Sequence, residues 1–144
     1  MVDVQRTFTV SADKEKVRAF LRDFANATRW DPGTQSCVQS TPGPVTLGTK
    51  WDNTSKIAGI STELVYELTR DDPEHIVLTG TNKTATSVDD IRFEAEGPDI
   101  TVVTYHAHVV FNGAAKLADP IVKLVFLRLA DETEKQMTKT LEAL

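Results

Sequence analysis

Few residues in this sequence can do chemistry, and each depends on the face to which its element turns it. Asp89 is the sharpest candidate. A carboxylate on an apolar wall has its pKa raised by desolvation and can then give or take a proton. A tyrosine beside it, Tyr66 or Tyr105, can donate a hydrogen bond to a substrate carbonyl. His106 and His108 stand two apart, so on a strand both imidazoles share a face and, with a nearby carboxylate, could hold zinc. Cys37 is the one cysteine, which excludes an internal disulfide and a thiolate-built metal centre. No local Ser-His-Asp or Cys-His signature occurs, and there is no glycine-rich phosphate loop.

The elements that must position these groups follow from periodicity. Val4, Phe8 and Val10 alternate with polar residues, as in a half-buried strand. Ser11 then suits a helix N-cap, with Asp13 and Glu15 in the first turn and Val17, Phe20, Leu21 and Phe24 along an apolar face. The segment from Asn26 to Pro32 reads as a second short helix or turn, broken at Asp31-Pro32-Gly33. From residue 34 to 112 turn signals recur at Thr41-Pro42-Gly43-Pro44, Ala58-Gly59, Asp72-Pro73-Glu74, Asn82-Lys83-Thr84 and Gly97-Pro98-Asp99. This spacing predicts about seven strands in meander order. After Gly113 the period becomes helical. Asp119-Pro120 resembles a helix start, and Val122, Phe126, Leu129, Thr133, Met137, Leu141 and Leu144 form one stripe of a long terminal helix.

Turn lengths set the register, because side chains alternate faces and paired residues share one. A two-residue loop at Ala58-Gly59 pairs Trp51 with Tyr66 and Asn53 with Leu64. A three-residue loop at Gly97-Pro98-Asp99 pairs Phe93 with Val103 and Ile91 with Tyr105. The same register puts Ser87 and Asp89 on the inner face near Gly80 and Leu78. Gly80 is expected to leave room there, which a Gly80→Phe change would fill. His106 and His108 then face outward with Asp90 across from His106, and the expected state is a cross-strand ion pair with no metal. Trp30 and Trp51 either stack on a flat ligand, or Trp30 plugs the junction of helices and sheet.

The bulk composition narrows the function classes. A chain of 144 residues suits one domain, 1–144, and 40% hydrophobic with 26% charged residues is ordinary for a globular protein. A net charge of −5 with scattered Lys and Arg weighs against nucleic acid. The stretch from Ile121 to Ala130 is too short and too interrupted to cross a bilayer, so stable membrane insertion is not expected. The Met-Val-Asp-Val start shows no signal peptide, making a cytoplasmic location the default. The first half of the terminal helix is apolar nearly all round, so Leu117, Ile121 and their neighbours have more apolar surface than one sheet contact needs. Pocket lining and a homodimer contact are the expected uses.

With these elements in place, the chain resembles the START-like (SRPBCC, helix-grip) superfamily, and within it the bacterial polyketide cyclase/dehydrase-like group. The resemblance rests on the first strand followed by Ser11-Ala12-Asp13-Lys14-Glu15-Lys16-Val17, on Trp30-Asp31-Pro32-Gly33 and on Val45-Thr46-Leu47-Gly48-Thr49. Glu63-Leu64-Val65-Tyr66-Glu67-Leu68, Thr101-Val102-Val103-Thr104-Tyr105 and the long terminal helix complete it. It implies an α+β helix-grip fold: a seven-stranded curved antiparallel sheet around a C-terminal helix, with two short helices after the first strand. It also implies a deep cavity for a hydrophobic small molecule, and the leading expectation is a binding protein without a fixed cofactor. Trp30, Trp51, Tyr66, Leu78, Gly80, Asp89, Phe93, Tyr105, Leu117, Ile121 and Val125 are its expected lining. Aromatic polyketide cyclases of this superfamily place polar and cationic groups deep in the pocket, whereas the arginines of inward parity here are Arg6 and Arg70, the latter near a strand end. Three readings stand: a hydrophobic-ligand carrier, a cyclase/dehydratase using Asp89 with Tyr66 or Tyr105, and a regulatory module acting by protein contact.

Overall fold

A computed structural model of the chain describes every residue except Ala58, and every side chain except those of Ala58, Ala118 and Asp119. The two turn and cap expectations resting on Ala58 and on the Asp119 side chain lie outside the described residues. Strand β1 (Val2–Val10) leads into helix α1 (Lys14–Arg22), a 3-10 turn (Phe24–Asn26) and the short helix α2 (Ala27–Trp30). Six strands follow: β2 (Thr34–Gln39), β3 (Lys50–Ile57), β4 (Ile60–Asp72), β5 (His75–Thr81), β6 (Ala85–Gly97) and β7 (Ile100–Phe111). A second 3-10 segment (Gly113–Ala118) precedes helix α3 (Asp119–Glu142).

The seven strands form one antiparallel sheet in the order β1-β7-β6-β5-β4-β3-β2. Strands β2 to β7 are the expected meander, and β1 returns beside β7. The pairing matches the turn-length argument at Trp51↔Tyr66, Asn53↔Leu64, Gly80↔Ser87, Leu78↔Asp89, Ile91↔Tyr105 and Phe93↔Val103. A one-residue bulge between Leu68 and Arg70 breaks the alternation in β4. That bulge explains why Arg70, expected inward, is instead exposed and paired with Asp72 at 2.6 Å. Helix α1 is capped by Asp13, whose carboxylate accepts from the Lys16 N–H, and not by Ser11. The Ser11 N–H instead donates to Glu142 at 2.8 Å, tying the first loop to the end of α3.

The core sits where α1, α2 and the C-terminal half of α3 close over the sheet. Val10, Val17, Leu21, Phe24, Trp30, Trp51, Leu68, Leu78, Ile91, Met137 and Leu141 belong to one buried cluster. The expected stripe on α3 faces inward at Thr133, Met137 and Leu141, while Leu144 lies past the helix end and is exposed. The Gln136 amide and the Thr140 hydroxyl both donate to the Arg29 carbonyl, which seats α2 on α3. The N-terminal half of α3 is held differently. Val122 and Phe126 pack on a smaller cluster of Val2, Ala85 and Val109. Among the described residues, no helix is long and apolar enough to cross a membrane.

Candidate functional site

The inner face of the sheet grades from closed to open along β5, β6 and β7. Leu68, Leu78 and Ile91 are wholly buried. One row further, Asp89 and Tyr105 are each 7% exposed and Tyr66 is 6% exposed, and beyond them Ser87 and Leu64 are only half-buried. Alternation alone puts Ser87, Asp89 and Ile91 on this face, so the carboxylate stands between an oily floor and a partly open rim.

Asp89 accepts a short hydrogen bond from the Tyr105 hydroxyl, and the Tyr66 hydroxyl donates to Ser87 Oγ at 3.3 Å. Burial pushes the Asp89 carboxyl up to about 7, against the hydrogen bonds from Tyr105 and Tyr66, which favour its ionised form. Asp31 adds a like charge that raises it further. Burial likewise raises both tyrosines well above their ordinary range, reinforced by the Asp89 charge. Asp31 sits just after Trp30, its carboxylate held by the Thr34 hydroxyl at 2.8 Å and the Gly33 N–H at 3.1 Å. Part of that residue remains exposed, but desolvation of its carboxyl outweighs these bonds and raises its pKa.

Five rings pack around this group. Phe24 lies 4.5 Å from Tyr66, 6.0 Å from Trp30 and 6.2 Å from Trp51 between centroids, and Trp30 lies edge-on to Tyr105 at 5.9 Å. Both tryptophans are fully buried, Trp30 on α2 and Trp51 on β3. Their indole N–H groups are buried with no hydrogen-bond partner. An unmatched buried donor costs about 1–3 kcal/mol, so two together are an unusual feature of an interior.

The structure gathers Trp30, Trp51, Tyr66, Leu78, Asp89, Phe93 and Tyr105 into the one core cluster or its polar centre. Three expected lining residues need correction. Gly80 leaves no gap, because a Cβ there would stand 2.6 Å from the Tyr66 ring, which already fills the space. Gly80→Phe would therefore collide with Tyr66 and not fill a cavity. Ile121 is 70% exposed because Val122 and Phe126 take the helix face that meets the sheet, and Leu117, 85% exposed, lies in the 3-10 segment before α3. Val125 is half-buried. Open grooves of about 710 Å³ and 460 Å³ lie along β4–β7 and at the tips of β3–β5, and α3 lines neither.

Two other groups take unexpected roles. Arg6 does face inward, but its guanidinium binds α3 through Asp131 at 3.1 Å and the Leu127 carbonyl at 3.4 Å. Asp90 stands across from His106 as expected, yet its carboxylate holds His75 at 2.6 Å. The partner of His106 and His108 is Asp3. Cys37 is buried, and desolvation pushes its thiol up to about 11, which leaves it a poor nucleophile. Sequence reasoning missed Asp31 and the buried pair Ser55–Asn53, joined at 2.7 Å. The signal for Asp31 was its place next to Trp30, a segment that reads as a chain break and as a piece of the family pattern but not as a source of buried charge.

No curated protein matches the chain by sequence. A START superfamily protein from Mycobacterium smegmatis superposes with a TM-score of 0.80 at 16% identity, covering 98% of this chain and 97% of that one. The Zhui aromatase/cyclase from Streptomyces sp. R1128 gives 0.78 at 16% identity, covering 97% and 93%. Ginseng major latex-like protein 151 from Panax ginseng gives 0.71 at 11% identity, covering 96% of each chain. At such identities these structures establish the shared fold, a sheet closed over a long C-terminal helix. The family model described as "Polyketide cyclase / dehydrase and lipid transport" matches residues 1–143, and the chain belongs to that family.

Proposed function

We propose that the protein binds a hydrophobic small molecule, lipid-, polyketide- or aromatic-like, between the inner face of the sheet and α3. One observation carries this reading: a desolvated Asp89 carboxyl bonded by Tyr105 lies beneath a rim that is only half-buried at Ser87 and Leu64, in an aromatic core that also keeps two unpartnered indole N–H groups. An oily interior that keeps spare donors is suited to a ligand with an apolar body and an accepting oxygen. A role by protein contact alone would not require a carboxyl in that position. The family description and the aromatase/cyclase neighbour support the same ligand class.

The test is native mass spectrometry on protein purified from its own host, followed by thermal unfolding with the released compound. A retained apolar ligand that raises the melting temperature is the expected result, since binding to the native state alone stabilises it. Absence of any adduct, together with no shift across a broad panel of hydrophobic metabolites, would overturn the proposal.

A second reading, a cyclase/dehydratase step, is favoured by the Asp89 pKa of about 7, where a general acid or base works best. Asp89 would move the proton, and Tyr105 would orient it. Under this reading Asp89→Asn abolishes conversion of the bound ligand while leaving its binding largely intact. If the wild type binds the ligand and returns it unchanged, carriage is the function.

A further inference from the structure

The outer face of the sheet carries a cluster that the candidate pocket does not use. Strand β1 lies beside β7 with Asp3 directly across from His108. His106 and His108 share that face, and Asp3 Oδ1 lies 2.7 Å from His106 Nε2 and 2.7 Å from His108 Nδ1. One ligand atom from each residue lies within 4.8 Å of the others. The sequence alone offered two histidines and the wrong carboxylate; the return of β1 supplies the third ligand.

We propose that Asp3, His106 and His108 form a site for a divalent transition cation of the zinc class, with three protein ligands and a fourth position open to solvent. Zinc bonds of about 2.0–2.1 Å at a tetrahedral angle separate neighbouring ligand atoms by roughly 3.3 Å. The two 2.7 Å contacts need open by only a fraction of an ångström, which partly exposed side chains on a rigid sheet can do. Imidazole and carboxylate together suit zinc-class ions better than magnesium or calcium, which prefer oxygen ligands. Ala107, between the two histidines, points the other way and lies across from Asp89. The two sites are thus back to back through β7 and have no side chain in common.

The experiment uses tag-free protein stripped with chelator and titrated by calorimetry with Zn²⁺ alone, then with Mg²⁺ alone. The expected result is one Zn²⁺ per chain, no Mg²⁺ binding, and shifts of the His106 and His108 ring resonances while those of His75 stay fixed. His106→Ala and Asp3→Asn should each weaken Zn²⁺ at least tenfold. Asp3→Asn is the discriminating arm: an amide still accepts hydrogen bonds from both imidazoles but is a poor zinc ligand. Absence of saturable binding to the wild type, or a Zn²⁺ affinity unchanged in both variants, would overturn the site.

Discussion

At Asp89, burial and hydrogen bonding pull in opposite directions, and burial wins. A carboxyl whose pKa rises from an ordinary 3.8 to about 7 on folding holds its proton in the native state and loses it in the unfolded one. Its contribution to stability is complete below the unfolded pKa and is lost as pH rises through about 7. Asp89→Asn removes that dependence. Urea unfolding at pH about 5 and about 8 should show the wild type losing stability relative to the variant, by about 3 kcal/mol at most, since the unfolded carboxyl is already ionised at pH 5. Gly80 makes a second residue-scale case. Gly80→Ala pushes a methyl against the Tyr66 ring, from which a Cβ is 2.6 Å distant, and should cost about 1–3 kcal/mol. A double-mutant cycle with Tyr66→Ala should recover most of that loss, because the ring is what the methyl meets.

Helix α3 is one element with two kinds of attachment. Its C-terminal half is core, so Met137→Ala should cost about 2–5 kcal/mol in global stability. Its N-terminal half rests on the small Val2–Ala85–Val109 cluster and on Arg6, while Ile121 and Leu124 remain exposed. The Arg6–Asp131 pair is solvent-accessible and contributes about 0–1 kcal/mol. Arg6→Met should therefore barely change the unfolding midpoint. Amide exchange should nonetheless speed up in the first three turns of α3, and protection there equal to wild type would show that the clamp is idle.

Over the whole molecule, the acid and base limbs of stability are set by two carboxyls on β4 and β6, the strands that flank β5. Asp71 is gripped by Arg22 through both carboxylate oxygens and by Arg18 at 2.6 Å, which pins α1 to the end of β4. These bonds hold the Asp71 carboxyl below its ordinary value, so its contribution is present above that value and lost as pH falls through the folded pKa. Asp89 loses its contribution in the other direction, as pH rises to about 7. Maximum stability should fall on the acid side of neutrality. It should move toward neutral pH in Asp89→Asn, as measured by urea unfolding across a pH series. A wild-type optimum above pH about 8 would contradict this division.

Most elements and most of the register were legible from local pattern. Alternation and turn chemistry are local, so Trp51 opposite Tyr66 and Asp89 inward beside Leu78 were legible from a few neighbouring residues. Local rules failed where one extra residue or a distant chain intervenes. A bulge turned Arg70 outward, and the room at Gly80 belonged to a ring on the next strand. The stripe of α3 was legible at Val122 and Phe126, but the same apolar run also suggested Ile121 for the pocket, and only packing left that residue in solvent. Asp3 met His106 and His108 across more than a hundred residues of chain, a contact no periodicity encodes. The aromatic shell around Asp89 likewise joins α2, β3, β4 and β7. Tertiary structure decided it, because burial, and hence the proton on Asp89, depends on everything packed around the carboxyl at once.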